Sequence, residues 1–241
     1  MNKFAESKPI LFEILLIIAA FILAIIFGLA GQLIGIENEM GMAIGRILAG
    51  ILLLLVFARC IDWSRQFRGV VFMLPAFLFA VWNIANHFIT KGDFNPLSTE
   101  ILILGIALAI FEEVIFRGIF IHNLKASGKS DMAALLIPAF IFGLIHLTNA
   151  VNGDIAQALV QTGYAIVIGL VFGAIYIRTG DLVSVIIAHA VIDITNRVFG
   201  GADVTSKALI IAFGIFLALE TVYAFWLVLK NDRSGSKALS E

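Results

Sequence analysis

Long apolar runs, broken at short polar intervals, set the pattern of this chain. About 20 mostly apolar residues suffice for a helix to span a bilayer. Eight segments meet that measure: residues 12–34, 40–58, 70–88, 100–121, 132–147, 155–177, 182–198 and 208–229. The pattern predicts an all-α polytopic membrane protein of about eight transmembrane helices. The fifth segment is short and contains Pro138, so it is expected to tilt, kink or lie partly inside protein. Ala165, Gly169 and Gly173 recur every four residues and predict close helix packing. No soluble domain, low-complexity stretch or repeat stands out. Residues 1–241 read as one integral-membrane domain ending in a polar, disordered cytoplasmic tail over 231–241.

Composition and charge refine this picture. With 61% hydrophobic against 14% charged residues, a soluble globular chain is excluded. Cytoplasmic segments of membrane proteins carry the excess of lysine and arginine. With both termini in the cytoplasm, Lys3, Lys8, Arg59, Arg65, Arg68, Lys125, Lys129, Arg178, Lys230, Arg233 and Lys237 fall on the inner side. Lys91, Arg197 and Lys207 fall outside, and Arg46 and Arg117 lie within spans. The expected placement is therefore the cell membrane, multi-pass, with cytoplasmic termini. A net charge of −1 gives no reason to expect nucleic acid as a partner, and the lipid bilayer is the partner that the basic connections fit. The first apolar run is too long for a typical cleaved signal-peptide core and reads as a retained signal-anchor. The single cysteine, Cys60, excludes an intrachain disulfide and a cysteine-rich metal site.

Candidate chemistry begins with charge inside the hydrocarbon. The apolar stretch 101–111 runs directly into Glu112 and Glu113 and on to Arg117. A charged side chain at mid-membrane costs about 2.5–3.5 kcal/mol on insertion scales, so such groups face a protein interior or a water-filled space and carry function. Snorkelling to a helix end suits a long arginine, not two short carboxylates. Glu113 and Arg117 are four apart and share a helix face, whereas Glu112 is turned away by about 100°. The economical assignment makes Glu113–Arg117 a structural clamp and leaves Glu112 free for chemistry. Two further spans each carry a histidine. His146 closes the apolar run 137–145. His189 and Asp193, four apart, can hydrogen-bond or point at one ligand, and Asn196 follows on the same face. Singly, these are ordinary packed histidines or a satisfied polar pair. Together with Glu112 they offer a base, a second group to share its proton, and donors for an oxyanion, as water activation requires.

Other polar positions have plainer readings. Asn83, Asn86, His87 and Thr90 form one stripe, and Gln157, Gln161 and Tyr164 another; both could line a chamber, though the outer ends of helices in mutual contact are the expected place. Arg46 and Glu220, on the second and eighth spans, are candidates for an intramembrane pair, snorkelling being the alternative for Arg46. His122 is expected to be solvated or at headgroup level.

Three motifs, in order and on separate spans, resemble those of a known family. Glu112-Glu113 followed by Arg117 matches its first motif, and Phe142 with His146 its second. His189 with Asp193 matches its third, aspartate standing where asparagine is more usual. Over 101–198 the chain is similar to the CAAX protease and bacteriocin-processing (Abi) family, whose best-known members are the type II CAAX prenyl endopeptidases. The resemblance implies an all-helical intramembrane endopeptidase with a water-accessible catalytic chamber. Its substrate would be a membrane-associated peptide or protein: a prenylated C-terminal peptide, a leader peptide or a membrane-protein tail. The resemblance also implies roles. Glu112 would activate water with His146, His189 and Asp193 would stabilise the oxyanion, and Glu113 and Arg117 would hold their helix in register. An ionised aspartate cannot donate to an oxyanion. Asp193 would therefore either accept the N–H of His189 and orient that ring, or donate as the neutral acid.

The family has carried a metalloprotease label. On that reading Glu112, His146 and His189 would hold zinc; on the other the mechanism is metal-free and no cofactor is needed. The chain has no compact His-Glu-x-x-His motif, which favours the metal-free version. Two other functions compete: a non-catalytic membrane immunity or regulatory protein on the same scaffold, and a proton-coupled transporter, for which no inverted pair of broken helices is evident. At 1.5 Å per residue, Glu112 and His189 lie about 13 and 10 Å from their cytoplasmic helix ends, which predicts a site near the cytoplasmic leaflet. His146, about 21 Å from Met132, fits that depth only if its helix starts later or breaks at Pro138.

Overall fold

Polar punctuation in the sequence becomes helix ends in space. A computed structural model describes residues 3–151, 153–200 and 206–238, and every regular element among them is helical. After a short turn of helix at Lys3–Ser7 come α1 (Pro9–Leu33), α2 (Asn38–Val56), α3 (Leu74–Thr90) and α4, which starts at Thr99–Glu113. The α4 helix widens into π-helical turns over Val114–Ile121 and closes as α-helix at His122–Ala126. There follow α5 (Asp131–Ile145), α6 (Ile155–Thr179), α7 (Leu182–Phe199) and α8 (Lys207–Ala238). Six of the described helices are long and apolar enough to cross a membrane: α1, α2, α5 with its 3-10 extension, α6, α7 and α8. The α3 helix is a shorter apolar one. The chain is a polytopic helical membrane protein.

Side chains that accept the first free backbone N–H groups set several starts. Ser98 Oγ accepts from Ile101 N at 3.2 Å at α4, and Ser130 Oγ from Ala133 N at 3.2 Å at α5. Asp154 Oδ1 accepts from Ala156 N and Gln157 N at α6, and Asp181 Oδ1 from Ser184 N at α7. Such caps satisfy donors that a helix cannot satisfy itself.

Three expectations are corrected. The third span is not helical from residue 70: a 3-10 turn occupies Val70–Phe72, and α3 begins at Leu74 with Pro75 in its first turn, where a missing N–H costs no bond. The α5 helix lies partly inside protein, as one expectation had it, but passes through the buried Pro138 without a break and tightens into 3-10 turns at His146–Val151. Close packing on α6 supports it there: a Cβ added to Gly169 would stand 3.0 Å from Ala139 Cα, and one on Gly173 3.0 Å from Leu135 Cδ1. A membrane helix keeps a proline when neighbours hold the freed backbone. Finally, α8 continues to Ala238 where disorder was expected from residue 231; extending an existing helix adds a bond per residue with no nucleation cost. Of the expected tail, 239–241 lie outside the described residues.

Helix contacts order the bundle. The α1 helix packs on α2, α2 on α4, α4 on α7 and α7 on α3, while α5 packs on α6 and α6 on α8. The wide turns of α4 contact α2, α5, α6 and α7, so this segment is the centre of the fold. Hydrogen bonds tie the connections into two opposite ends. At one, Asn123 Nδ2 donates to Glu13 Oε1 at 2.5 Å, Gly69 N to Asp181 Oδ2 at 2.8 Å, and Leu182 N to Gln66 Oε1 at 2.9 Å. At the other, Asn95 N donates to Val198 O at 2.8 Å and Asn149 Nδ2 to Gln161 Oε1 at 2.9 Å. The first end holds the N-terminal segment and the C-terminal half of α8.

Candidate active site

Close approach of α4 and α7 brings the first and third motifs together. Gly105 permits it, because a Cβ there would stand 2.7 Å from Ile194 Cγ1. About two turns further along, α4 presents Glu112 and Glu113 to His189 and Asp193 of α7.

Glu113 is wholly buried and its Oε1 accepts two charge-assisted bonds. Arg117 Nη1 donates to it at 2.8 Å, and His189 Nδ1 at 2.6 Å. Phenylalanines cover this node. The Arg117 guanidinium lies 4.8 Å from the ring centroid of Phe142 and 5.4 Å from that of Phe172, and the His189 ring is 5.6 Å from Phe172. A cation over an aromatic face gains most when desolvated, as here. The expected Glu113–Arg117 contact is present, and Glu113 also reaches the histidine of the third motif, which sequence spacing did not anticipate.

With Nδ1 committed to Glu113, the other ring nitrogen of His189 faces Glu112 and Asp193. Its Nε2 is 3.7 Å from Glu112 Oε2 and 3.7 Å from Asp193 Oδ1. Both separations exceed a direct hydrogen bond. Of the two arrangements open to His189 and Asp193, a direct hydrogen bond is not formed and both side chains line one space; Glu113 holds the other ring nitrogen. Glu112 Oε2 and Asp193 Oδ2 are buried without a hydrogen-bond partner among the described residues.

His146 ends α5, and its Nδ1 stands 2.8 Å from Phe142 O. A carbonyl only accepts, so Nδ1 carries the proton and Nε2 is the basic nitrogen of the neutral ring. The Phe142 ring lies between the histidines, 4.9 Å from His146 and 6.1 Å from His189, centroid to centroid.

Glu112, His146, His189 and Asp193 line one cavity of about 320 Å³, whereas Glu113 and Arg117 do not. The polar wall also includes Asn83, Gln161, Tyr164, Asn196 and Arg197; Phe79, Trp82, Leu108, Ile168 and Phe213 form an apolar wall. Asn83, Gln161 and Tyr164 line this chamber, while Asn86 and His87 pack at the end beyond it, His87 against the rings of Phe88, Phe94 and Phe199. His146 sits at the far end of an unbroken α5. Arg197 and the aromatic wall gave no sequence signal beyond residue type, since apolar residues in a span face lipid or protein alike.

Arg46 and Glu220 form no ion pair among the described residues: α2 packs on α1 and α4, whereas α8 packs on α6. Arg46 instead lies within Coulombic reach of Glu112, and Arg197 within reach of Asp193. Outside the spans, burial pushes the Cys60 thiol up, which fits an inert thiol.

A catalytic zinc takes three protein ligands at about 2.0–2.3 Å. Among the described residues no three His, Cys, Asp or Glu side chains converge to hold a metal ion. The expected alternative set of Glu112, His146 and His189 therefore does not fit zinc in this arrangement.

These features define a class: a polytopic helical membrane protein with glutamate, histidine and aspartate side chains gathered around an intramembrane cavity. Residues 94–195, which take in α4 to most of α7, match the family described as type II CAAX prenyl endopeptidase Rce1-like. Over that stretch the chain is similar to this CAAX protease family. No curated protein and no solved structure matches it.

Proposed function

We propose that this protein is an intramembrane endopeptidase that hydrolyses a peptide bond of a membrane-associated protein or peptide with a glutamate-activated water. One observation carries this reading. Of two adjacent glutamates, Glu112 lines the cavity and makes no hydrogen bond among the described residues, while Glu113 lies behind it with Oε1 tied to Arg117 and His189.

Glu112 is the general base, and His146, with its Nε2 unprotonated, shares the transferred proton. A water held between Glu112 and His189, across the 3.7 Å that separates them, would be placed for attack on a carbonyl carbon in the cavity. His189, protonated at Nε2, donates to the developing oxyanion while Glu113 fixes its ring. Asp193 supports the same region through hydrogen bonding. Glu113 and Arg117 are positioning residues. No step runs through a metal.

The protein is placed in the cell membrane, multi-pass, with both termini cytoplasmic, on the strength of the lysine and arginine bias. The test is cleavage of membrane-anchored reporter polypeptides by purified, reconstituted protein and by its Glu112→Gln variant. Equal turnover by both would refute the role of Glu112. No turnover by the wild type across a diverse reporter set would favour a non-catalytic scaffold.

A further inference from the structure

A second cavity, of about 190 Å³, lies at the end of the bundle that holds the N-terminal segment. Three stretches of chain wall it: Asp62 and Arg65 in the connection after α2, His122 and Lys125 in the closing turns of α4, and Tyr176 and Gly180 at the end of α6. It shares no lining residue with the chamber around Glu112. Because α2, α4 and α6 all end here, the cavity opens at the depth where spans leave the hydrocarbon.

Its basic side chains are held in place. Gln66 Nε2 donates to Asp62 O at 2.8 Å, and Gln66 Oε1 accepts from Leu182 N and Val183 N at 2.9 Å each, which fastens the connection to the start of α7. Asp62 Oδ1 accepts from Ser64 N and Ser64 Oγ, and Asp62 Oδ2 pairs with Arg65 Nε at 2.8 Å. That pair uses one of the five N–H donors of the guanidinium and leaves those of the two Nη atoms for a ligand. The stem of Arg65 crosses Gly180, where an added Cβ would stand 2.8 Å from Arg65 Cδ. Lys125 is steadied at the rim by Asp131. Burial lowers the His122 pKa, so that ring is a neutral hydrogen-bonding group, and Tyr176 adds a hydroxyl.

The surroundings suit a lipid. Trp63, Phe67, Val70 and Val71 are each more than half exposed on the same connection. Exposed aromatic residues at the ends of spans sit at headgroup level. The connections at this end, 57–73, 122–130 and 179–182, carry Arg59, Arg65, Arg68, Lys125 and Lys129 against Asp62 and Asp181, and Asp181 is wholly buried. A guanidinium fork matches a phosphate through paired N–H bonds, and a lysine adds a point charge. We infer that this cavity binds the phosphate of an anionic lipid headgroup, with Arg65 as the fork and Lys125 as the second cation. The acyl chains then lie against the exposed apolar residues of 63–71. The site depends neither on which face of the membrane this end meets nor on the protease assignment.

Purified protein in neutral detergent micelles is titrated with phosphatidylglycerol, with phosphatidylcholine and with inorganic phosphate. Thermal unfolding gives the midpoint, and native mass spectrometry counts the bound lipid. Phosphatidylglycerol is expected to raise the midpoint saturably, by about 2–4 °C or more, with one tightly held lipid. Arg65→Gln should lose most of that rise, measured from its own starting midpoint. Arg65→Lys, which keeps the charge without the fork, should keep part of it. Lys207→Gln, at the opposite end of the bundle, should keep all of it. A full rise in Arg65→Gln would overturn the site, and an equal rise with phosphatidylcholine would overturn the preference for an anionic headgroup. Equal protection by inorganic phosphate would overturn a lipid as the ligand. If Arg65→Gln does not fold, Lys125→Gln carries the same comparison through the count of bound lipid.

Discussion

His189 Nδ1 lies 2.6 Å from Glu113 Oε1, an oxygen that also accepts from Arg117 at 2.8 Å. Two motifs on different helices are thus joined through one carboxylate oxygen that faces away from the cavity. The ring of His189 can turn only by breaking that bond, so its Nε2 stays directed at the space between Glu112 and Asp193.

Removing Glu113 is therefore expected to affect both stability and chemistry. Breaking one partner of a buried ion pair costs about 3–5 kcal/mol because the other charge is stranded. Glu113→Gln and Arg117→Ala should both lower the unfolding midpoint in detergent. Glu113→Gln should also reduce kcat at saturating substrate, by freeing the His189 ring. A fully stable but inactive Glu113→Gln, together with an active Glu112→Gln, would reverse the assignment of the two glutamates.

Glu112→Gln should leave the unfolding midpoint close to wild type while abolishing hydrolysis, since the change is nearly isosteric and removes only basicity. His146→Ala should behave likewise, with a modest cost from the lost contact with Phe142. Both are read by thermal unfolding beside reporter cleavage.

Position 193 separates hydrogen bonding from charge. An amide offers an acceptor and donors. Asp193→Asn should keep substantial activity, and Asp193→Ala should lose about 10²–10³ if an oxyanion contact goes with it. Equal loss in both variants would show that the negative charge itself is required.

Metal removal should change little. A chelator is expected to leave reporter cleavage intact, and elemental analysis of active protein should find less than stoichiometric zinc. Stoichiometric zinc that is lost with activity in Asp193→Asn would restore a metal mechanism.

Helix contact between α1 and α2 offers a purely structural test. A Cβ on Gly45 would run into the carbonyl oxygen of Ala24 and stand 2.7 Å from Gly28 N. Overpacking of this kind costs typically about 1–3 kcal/mol. Gly45→Ala should lower the unfolding midpoint, whereas Gly163→Ala, which meets nothing within 4 Å, should not.

The sequence alone determined what local chemistry controls. Apolar run length settles which segments can become spanning helices, because a backbone in hydrocarbon must satisfy its own hydrogen bonds. Intramembrane glutamates, histidines and an aspartate are expensive enough to stand out without any structure, and spacing of four residues predicts the Glu113–Arg117 contact from helix geometry alone. Only the tertiary structure decided what crosses between helices. The bond from His189 to Glu113 links residues far apart in sequence, and no periodicity encodes it. Asn83 and Gln161 line the chamber while Asn86 packs beyond it, because rotation of each helix is set by its neighbours. The position of His146, too, depended on Pro138 leaving α5 unbroken: Gly169 and Gly173 let α6 press against the helix there, so His146 comes at the far end of that helix.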